Sequence, residues 1–433
     1  MNLKQGLELS LARGRDPLPD HRASLTRAVI DLATEHPEEF YRQAFPLPLP
    51  LRRRTKVLPR NFIVRLTGRC NLACAYCFDT ANRASRDRLD LPTAAKIADY
   101  VLAVPGSKPL ISFLGGEPLL NWPAGRFLIE TIRREGRARG KDPYFNITTN
   151  ATLINDGLAR ELVGDDLSVQ ISIDGFEKGH DRHRRYPDGT GSYEDAVRGL
   201  QRLRAISPSA KVDAQVVLTP GNTNLTGIAK KLKTLGFRRI NFLYLSADAG
   251  CPSAGWTSTA VGELIRQRAK FYPYFLQSAI RHHPEVDMHF AFLVAAQPTG
   301  PNGLCGCGWS EVYIDARGDL YSCPKLYGRA DVQPLGNCAT VDPTVPLPVR
   351  KSSRCADEDC ARCWAFPWCQ GGCAFQCQKC SMLPAARREP TQRLWCDLLR
   401  AQFSRAAITY RLLRRFHPQS LSSLRSLFAD GPA

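Results

Sequence analysis

Between residues 59 and 245, short apolar segments rich in β-branched residues alternate with amphipathic segments. The β-branched composition predicts strands, and the helical spacing of apolar residues in the intervening segments predicts helices. Because such repeats favour a parallel sheet with helices on its outer side, we expect an α/β fold with a partial (β/α)6 TIM-like barrel. The predicted strands are FIVRLT (62–67), LISFLG (110–115), YFNITT (144–149), SVQISI (168–173), VDAQVVLT (212–219) and INFLYL (240–245).

Three cysteines, Cys70, Cys74 and Cys77, directly follow the first predicted strand. Barrel enzymes place their chemistry at the C-terminal ends of the strands, so we expect these thiols at the reactive edge of the sheet. Thiolates select iron–sulfur clusters or zinc, and a [4Fe–4S] cluster needs one ligand for each iron. The stretch ends in Phe78 and Asp79 without a fourth cysteine. Three ligands indicate a cluster with one open coordination position.

The spacing Cys70-x3-Cys74-x2-Cys77, with Tyr76 before the last cysteine, resembles the signature of the radical SAM superfamily. The resemblance covers roughly residues 60 to 400, most of the chain. It implies an enzyme whose unique iron binds the amino and carboxylate groups of S-adenosyl-L-methionine. Cleavage of that cofactor to a 5′-deoxyadenosyl radical is the reaction that the resemblance implies.

Polar residues at the ends of the next three predicted strands also resemble this family. The motif GGEP after the second strand is expected to hold the methionine amino group, because glycines let the backbone approach a ligand and a carboxylate accepts hydrogen bonds. The motifs TTN and ISIDG end the third and fourth strands. The cofactor-binding residues implied are Gly115, Gly116, Glu117, Pro118, Asn150, Ser172 and Asp174. Asp174, Asp181 and His183 are candidate proton acceptors, and we assign none of them as a catalytic base.

Twelve of the 16 cysteines lie between Cys305 and Cys396, in a glycine-rich region that we expect to be irregular. The run CARCWAFPWCQGGC, preceded by GDLYSC, resembles the SPASM extension of radical SAM enzymes, which holds two auxiliary [4Fe–4S] clusters. The implied ligands of one cluster are Cys305, Cys323 and Cys373, and those of the other are Cys360, Cys363, Cys369 and Cys396. The eighth ligand stays open among Cys307, Cys338 and Cys355, while Cys377 and Cys380 compete with Cys396.

Four segments are expected along the chain. Residues 1–58 form a basic helical extension that ends in a proline-rich linker, and 59–300 hold the radical SAM core with a long helix at 259–282. Residues 301–400 form the SPASM domain, and 401–433 belong to a basic C-terminal helix and tail that begins at about residue 391. We expect this last amphipathic helix to pack on the protein and not on a membrane.

The net charge and the cysteine content restrict the partners and the cellular location that we expect for the protein. It has 59 Lys and Arg against 41 Asp and Glu, a net charge of +18, without an aromatic-interleaved motif for nucleic acid. We therefore expect a solvated basic surface, no nucleic-acid partner and no membrane span. Without an export signal the cysteines are better explained as metal ligands than as disulfides, so the predicted location is the cytoplasm.

The resemblance leaves three possible functions. SPASM enzymes mostly act on peptides or proteins, so the first is oxidative cross-linking of a ribosomally made precursor peptide, with a flavodoxin or ferredoxin as electron donor. The second is sulfatase maturation, a branch that has an aspartate directly after the cysteine equivalent to Cys323, where this chain has Pro324. Since proline cannot act as a base, we favour the first function. The third is a zinc protein without enzymatic activity, which the paired CxxC motifs alone would suggest.

Overall fold

A computed structural model describes residues 58–79, 87–245, 255–281, 287–295, 306, 310–329, 331–347, 360, 363–369, 372–373, 375 and 385–429. The expected N-terminal extension up to residue 57 lies outside these residues. So do five cysteines that entered the sequence analysis: Cys305, Cys307, Cys355, Cys377 and Cys380.

The described chain forms one sheet of nine strands in the order β6-β5-β4-β3-β2-β1-β7-β8-β9. The first six strands are all parallel to their neighbours, which confirms the predicted partial barrel. The strands are β1 (Asn61–Arg65), β2 (Leu110–Leu114), β3 (Tyr144–Thr149), β4 (Leu167–Ser172), β5 (Val212–Leu218), β6 (Ile240–Tyr244), β7 (Glu311–Ile314), β8 (Asp319–Tyr321) and β9 (Gly336–Asn337).

Helices connect the parallel strands, and a group of helices follows the sheet. In the barrel they are α1 (Leu91–Ala103), α2 (Trp122–Ala138), α3 (Asp156–Glu161), α4 (Glu177–Asp181), α5 (Tyr193–Ile206) and α6 (Leu225–Thr234). After the barrel come α7 (Ser258–Ile280), α8 (Met288–Ala295), α9 (Phe366–Cys369), α10 (Ala385–Phe416) and α11 (Pro418–Ala429). In the described residues no helix is long and apolar enough to cross a membrane.

The two faces of the sheet differ because side chains alternate along each strand. Phe113 and Phe145 stack on the buried face, and Phe113 meets Trp122 of α2 edge-on, so this face carries the core under the helices. On the other face several residues are polar, and Asn146, Thr148, Gln170 and Ser172 are half-buried there. Asn146 Nδ2 donates to Ser168 Oγ at 2.8 Å, and Thr148 Oγ1 donates to Gln170 Oε1 at 3.1 Å. A closed barrel would fill this space with branched apolar side chains, so the polar lining indicates an open interior.

The cysteine-rich region contributes regular structure that the sequence did not predict. Strand β7 pairs with β1 in parallel, and β8 and β9 extend the sheet by antiparallel pairing. The expected division at residue 300 therefore does not separate two sheets. The expected division at residue 400 falls inside α10, which is continuous across it. This helix buries Phe403, Ile408 and Leu413, in agreement with packing on the protein.

Candidate active site

The loop that carries Cys70, Cys74 and Cys77 is held by the segment after β4. The Ala73 N–H donates to the Arg185 carbonyl at 2.7 Å, and the Ala75 N–H donates to the His183 carbonyl at 2.8 Å. All three thiols are half-buried. The loop follows β1, so it lies at the C-terminal ends of the parallel strands, where the sequence placed it. Main-chain hydrogen bonds hold the loop, and the Leu72 N–H also donates to the Cys70 sulfur at 3.4 Å.

The two glycines of the GGEP motif pack against the main chain that precedes the cysteine loop. The Gly116 N–H donates to the Thr67 carbonyl and the Glu117 N–H to the Arg69 carbonyl, each at 2.8 Å. A Cβ atom on Gly116 would lie 2.1 Å from the Arg69 oxygen, and one on Gly115, where φ is +150°, would lie 2.4 Å from the Thr67 oxygen. The glycines are therefore required for an approach of backbone to backbone. The sequence analysis explains these glycines by the approach of the backbone to a ligand. The contact with the main chain of Thr67 and Arg69 is a further reason why glycine is needed at both positions.

The Glu117 carboxylate is buried and joins the ends of two strands. Its Oε1 accepts hydrogen bonds from Thr149 Oγ1 at 2.7 Å and from the Leu119 N–H at 3.1 Å, and its Oε2 accepts from the Asn150 N–H at 2.8 Å. Burial raises the pKa of Glu117 to about 7, although these three donors act in the opposite direction. A nearby ammonium group would favour the ionised carboxylate. Pro118 follows it as the first residue of a short 3₁₀ turn.

Asn150 links the end of β3 to the cysteine loop. Its Nδ2 donates to Asn71 Oδ1 at 2.9 Å, and its Oδ1 accepts from the N–H and hydroxyl of Thr152 at 3.0 and 2.8 Å. Asn71 Nδ2 in turn donates to the Thr152 hydroxyl at 2.8 Å. Because Asn71 directly follows Cys70, this network positions the first thiol. The next residue, Ala151, has φ +64°, so the chain turns sharply where the network forms.

Asp174 is held by the chain's own groups at the end of β4. It accepts hydrogen bonds from the Tyr76 hydroxyl, from Arg184 Nε at 3.0 Å and Nη2 at 3.3 Å, and from the Val217 N–H at 2.9 Å. Burial opposes ionisation, yet Arg184 holds the pKa of Asp174 below its usual value. The carboxylate is therefore a weak proton acceptor that positions Tyr76, the aromatic residue between Cys74 and Cys77.

The other predicted positions near Asp174 have structural partners. The Asp181 carboxylate accepts from the N–H groups of Ser192 and Tyr193, each at 2.9 Å, at the start of α5. Burial lowers the pKa of His183, whose carbonyl accepts the hydrogen bond from the cysteine loop. Ser172 is half-buried on the polar face of the sheet, where its register partner is Gln215.

Arg65 is a residue of the site that the sequence analysis missed. It lies fully buried in β1, and its Nη1 contacts Asp79 Oδ2 at 2.7 Å while its Nε contacts Asp87 Oδ2 at 3.1 Å. Its guanidinium also lies 4.8 Å from the ring centre of Tyr327. Asp79 comes two residues after Cys77, and Tyr327 four residues after Cys323. Arg65 thus connects the first cysteine loop to the auxiliary cysteine region. The feature of the sequence that could have identified it is a charged arginine inside the otherwise apolar strand segment FIVRLT.

The auxiliary cysteines that the structure describes are half-buried: Cys323, Cys360, Cys363, Cys369, Cys373 and Cys396. Burial, with Cys363 and Cys369 nearby, raises the pKa of the Cys396 thiol to about 11, so these three sulfurs are neighbours. Arg400 Nη2 donates to Cys363 Sγ at 3.7 Å. No group of three His, Cys, Asp or Glu side chains in the described residues is arranged to hold a single metal ion.

Cys338, one of the three candidates for the eighth ligand, is buried in the hydrophobic core. Its sulfur lies 2.7 Å from the position that a Cβ atom on Gly318 would take. Burial raises the pKa of this thiol to about 11, and the charged groups near it are Lys96, Asp319 and Asp315. Burial raises the pKa of Cys396 to the same value, so this property does not separate Cys338 from the predicted ligands.

The fold and the site together define a class of protein. An open parallel half-barrel carries three thiols on a fixed loop after its first strand, and this donor set fits a four-iron cluster that leaves one iron open. Residues 64–225 match the family model of the Radical SAM superfamily, so this part of the chain is a radical SAM domain, and the relatives that it matches are enzymes.

Comparisons with individual proteins agree. The chain is 28% identical over 356 residues to a serine-type anaerobic sulfatase-maturating enzyme of Klebsiella aerogenes, covering 76% of this chain and 82% of the relative. Its fold is similar to that of anSMEcpe with bound AdoMet and Cp18Cys peptide, with a TM-score of 0.65, 18% identity and coverage of 85% of this chain and 99% of that one. It is also similar to Streptococcus suis SuiB bound to the precursor peptide SuiA, with a TM-score of 0.54, 17% identity and coverage of 87% and 84%.

Proposed function

We propose that this enzyme oxidatively modifies a ribosomally made precursor peptide, forming a cross-link after abstraction of a hydrogen atom. The observation that carries this proposal is the residue after Cys323. Pro324 offers no ionisable group there, and the ammonium of the following Lys325 lies 5.5 Å from the ring centre of Phe375. A maturase that needs a carboxylate at this position lacks its base in this chain.

The open polar face of the sheet supports a peptide substrate. Gln170 and Ser172 are half-buried on this face in β4, and Ser172 is the last residue of that strand. Their amide and hydroxyl groups offer hydrogen bonds to a peptide backbone. The solved relatives named above hold peptides, and the net charge of +18 favours encounter with an acidic leader segment.

The residues present fit the cofactors that the family implies. Cys70, Cys74 and Cys77 would hold the [4Fe–4S] cluster, and the strand-end residues Gly115 to Pro118, Asn150 and Ser172 would contact S-adenosyl-L-methionine. When bound, these groups supply a 5′-deoxyadenosyl radical. The chain's own part is to position them: Glu117 offers a carboxylate for the methionine ammonium, and Asp174 acts through Tyr76 on the cysteine loop.

Two auxiliary [4Fe–4S] clusters complete the proposal. Cys305, Cys323 and Cys373 would hold one, and Cys360, Cys363, Cys369 and Cys396 the other. Cys307, Cys338 and Cys355 are the candidates for the eighth position. When bound, the clusters would supply a site for the electron released on ring closure, and cluster potentials span a range of about −700 to +450 mV that permits this. A flavodoxin or ferredoxin is the proposed electron donor.

The test is co-expression of the enzyme with each short reading frame beside its gene, followed by mass spectrometry of the peptide. We expect a peptide that has lost two hydrogens. Cys74→Ala should abolish formation of 5′-deoxyadenosine, and Cys363→Ala should block product while some uncoupled cofactor cleavage continues. Fragmentation of the peptide must place the loss as a new bond between two residues. A product in which oxygen replaces the sulfur of a cysteine, or in which a single serine has lost two hydrogens and reacts with a hydrazide as an aldehyde, would instead establish sulfatase maturation, the alternative that the serine-type Klebsiella relative favours.

A further inference from the structure

A buried polar cluster lies behind the end of β6, between α7 and α10. We call it the Tyr244 cluster, and its members are Tyr244, Arg268, Asp287, Gln402 and Arg405. Apart from Tyr244, which is half-buried, the exposed fractions are 4% for Arg268, 5% for Arg405, 1% for Gln402 and 0% for Asp287. Three described elements, β6, α7 and α10, meet at this cluster, and α10 also carries Cys396.

The charges within the Tyr244 cluster do not balance. Arg268 Nη1 contacts Asp287 Oδ2 at 2.7 Å, and its guanidinium lies 5.1 Å from the ring centre of Tyr244. Arg405 lacks an ion pair among the described residues. Burial and the neighbouring charge of Arg268 lower the pKa of Arg405 to about 10. Two buried cations thus share one carboxylate.

Several hydrogen-bonding atoms of the cluster lack a partner within the described chain. They are Nε and Nη2 of Arg268, Nε and Nη1 of Arg405, and Oε1 of Gln402. The Gln402 side chain is held in place because its Nε2 donates to the Tyr244 hydroxyl. Buried donors on a charged group are costly without an acceptor, and buried polar groups in folded proteins are nearly always paired. The cluster therefore offers four N–H donor atoms and one acceptor around an excess positive charge.

We propose that the Tyr244 cluster binds a small oxyanion of charge −1 that carries a hydroxyl group, such as hydrogen carbonate or dihydrogen phosphate. The guanidinium groups of Arg268 and Arg405 donate to its oxygens, and its hydroxyl donates to Gln402 Oε1. A simple halide satisfies the donors but leaves the Gln402 oxygen unpaired. The bound anion ties α10 to β6 and α7, and so holds the helix that bears Cys396 against the barrel.

An open cleft of about 490 Å³ separates the first turns of α7 from α10 and is lined by Val261, Ile265, Arg393 and Asp397, among others. Ile265 is one helical turn from Arg268 on α7, so the cleft brings solvent to the neighbouring turn of that helix.

The experiment measures thermal unfolding of the anaerobically reconstituted full chain in sodium hydrogen carbonate, phosphate, nitrate or chloride at one pH and ionic strength. We expect hydrogen carbonate or phosphate to raise the midpoint by about 2–4 °C over nitrate and chloride, and the stronger of the two identifies the ligand. Arg405→Gln should lose this difference. Arg134→Gln is the matched control, because it removes the same charge from a side chain that is 72% exposed and should respond like wild type.

Isothermal titration of the wild-type protein with the more effective anion provides a measurement that does not depend on a variant. Gln402→Leu, which removes the acceptor, should bring nitrate level with hydrogen carbonate. Equal midpoints in all four anions together with no binding heat would overturn the proposal, as would a wild-type response from Arg405→Gln. None of these outcomes depends on the peptide-modifying function.

Discussion

The phenolic hydroxyl of Tyr76 donates a hydrogen bond to the Asp174 carboxylate and so joins the cysteine loop to the end of β4. We expect Tyr76→Phe to lower stability by about 1 kcal/mol, because Asp174 keeps its bonds to Arg184 and the Val217 N–H. Formation of 5′-deoxyadenosine should fall about tenfold as the loop loses its position. Tyr410→Phe is the control, since it removes a phenolic contact with Arg414 at 3.4 Å within α10. Equal turnover in both variants would contradict this role.

Gly116→Ala tests the contact between the GGEP motif and the cysteine loop. A methyl group would lie 2.1 Å from the Arg69 carbonyl oxygen, so one of the two backbones must move. We expect a loss of roughly 1–3 kcal/mol in the free energy of unfolding and reduced iron content per chain. Gly164→Ala is the control, because its methyl group would meet only Asp166 Oδ1 at 3.6 Å. Urea midpoints and iron analysis of the two variants should differ clearly.

The raised pKa of Glu117 predicts a pH dependence of stability. The pKa is about 7 in the folded chain against an ordinary value of 4.5, so the folded state holds the proton more tightly. Its contribution is fully present below pH 4.5 and is lost as the pH rises towards 7. We expect the urea midpoint of wild type to fall over this window relative to Glu117→Gln, which does not titrate. Parallel pH profiles of the two proteins would show that Glu117 titrates normally.

Arg65 and Arg133 form comparable pairs in different surroundings. Arg65 is 1% exposed against Asp79, whereas Arg133 is 34% exposed and binds Asp166 at 2.7 Å. Arg65→Met removes the buried cation that contacts both Asp79 and Asp87 and should cost about 3–5 kcal/mol, measured by urea unfolding. Arg133→Met should cost no more than about 1 kcal/mol. Similar losses in the two variants would show that burial of the Arg65 pair does not matter.

Arg400 is expected to tune the auxiliary cluster that includes Cys363. A guanidinium hydrogen bond to a ligand sulfur stabilises the more negative, reduced cluster. Arg400→Gln should therefore make its reduction potential more negative, which a redox titration followed by electron paramagnetic resonance measures. Arg415→Gln, at the other end of α10, is the control for net charge. An unchanged midpoint potential at full iron occupancy would remove this role from Arg400.

The local pattern of the sequence was sufficient for the barrel and for the cysteine loop. β3 begins and ends at the predicted residues, and the other five barrel strands differ by one or two residues at an end, because β-branched runs between amphipathic helices identify a parallel strand by themselves. The spacing of the three cysteines and the predicted strand before them were sufficient to predict where the thiols lie.

The contacts between residues that assemble the site could not be predicted from the local pattern of the sequence. Tyr76 and Asp174 are distant in sequence, as are Arg65 and Tyr327, and nothing in either neighbourhood specifies the partner. The sequence analysis considered only a ligand as the close neighbour of the GGEP glycines. Their contact with the main chain of Thr67 to Arg69 becomes visible only when β1 and β2 are paired. Strand β7 was missed because four residues in a cysteine-rich region carry too little periodicity.

The pairing of β7 with β1 bears on how this protein can be dissected. The Asn61 amide donates to the Glu311 carboxylate at 2.7 Å across that seam, and the main chain of β1 is hydrogen-bonded on both sides. Truncation after the barrel would leave the N–H and C=O groups on one side of β1 without partners, and such an exposed edge strand promotes aggregation. The barrel half therefore cannot be expected to fold as a separate domain. A chimaera that joins it to a foreign C-terminal half must reproduce the pairing of β7 with β1.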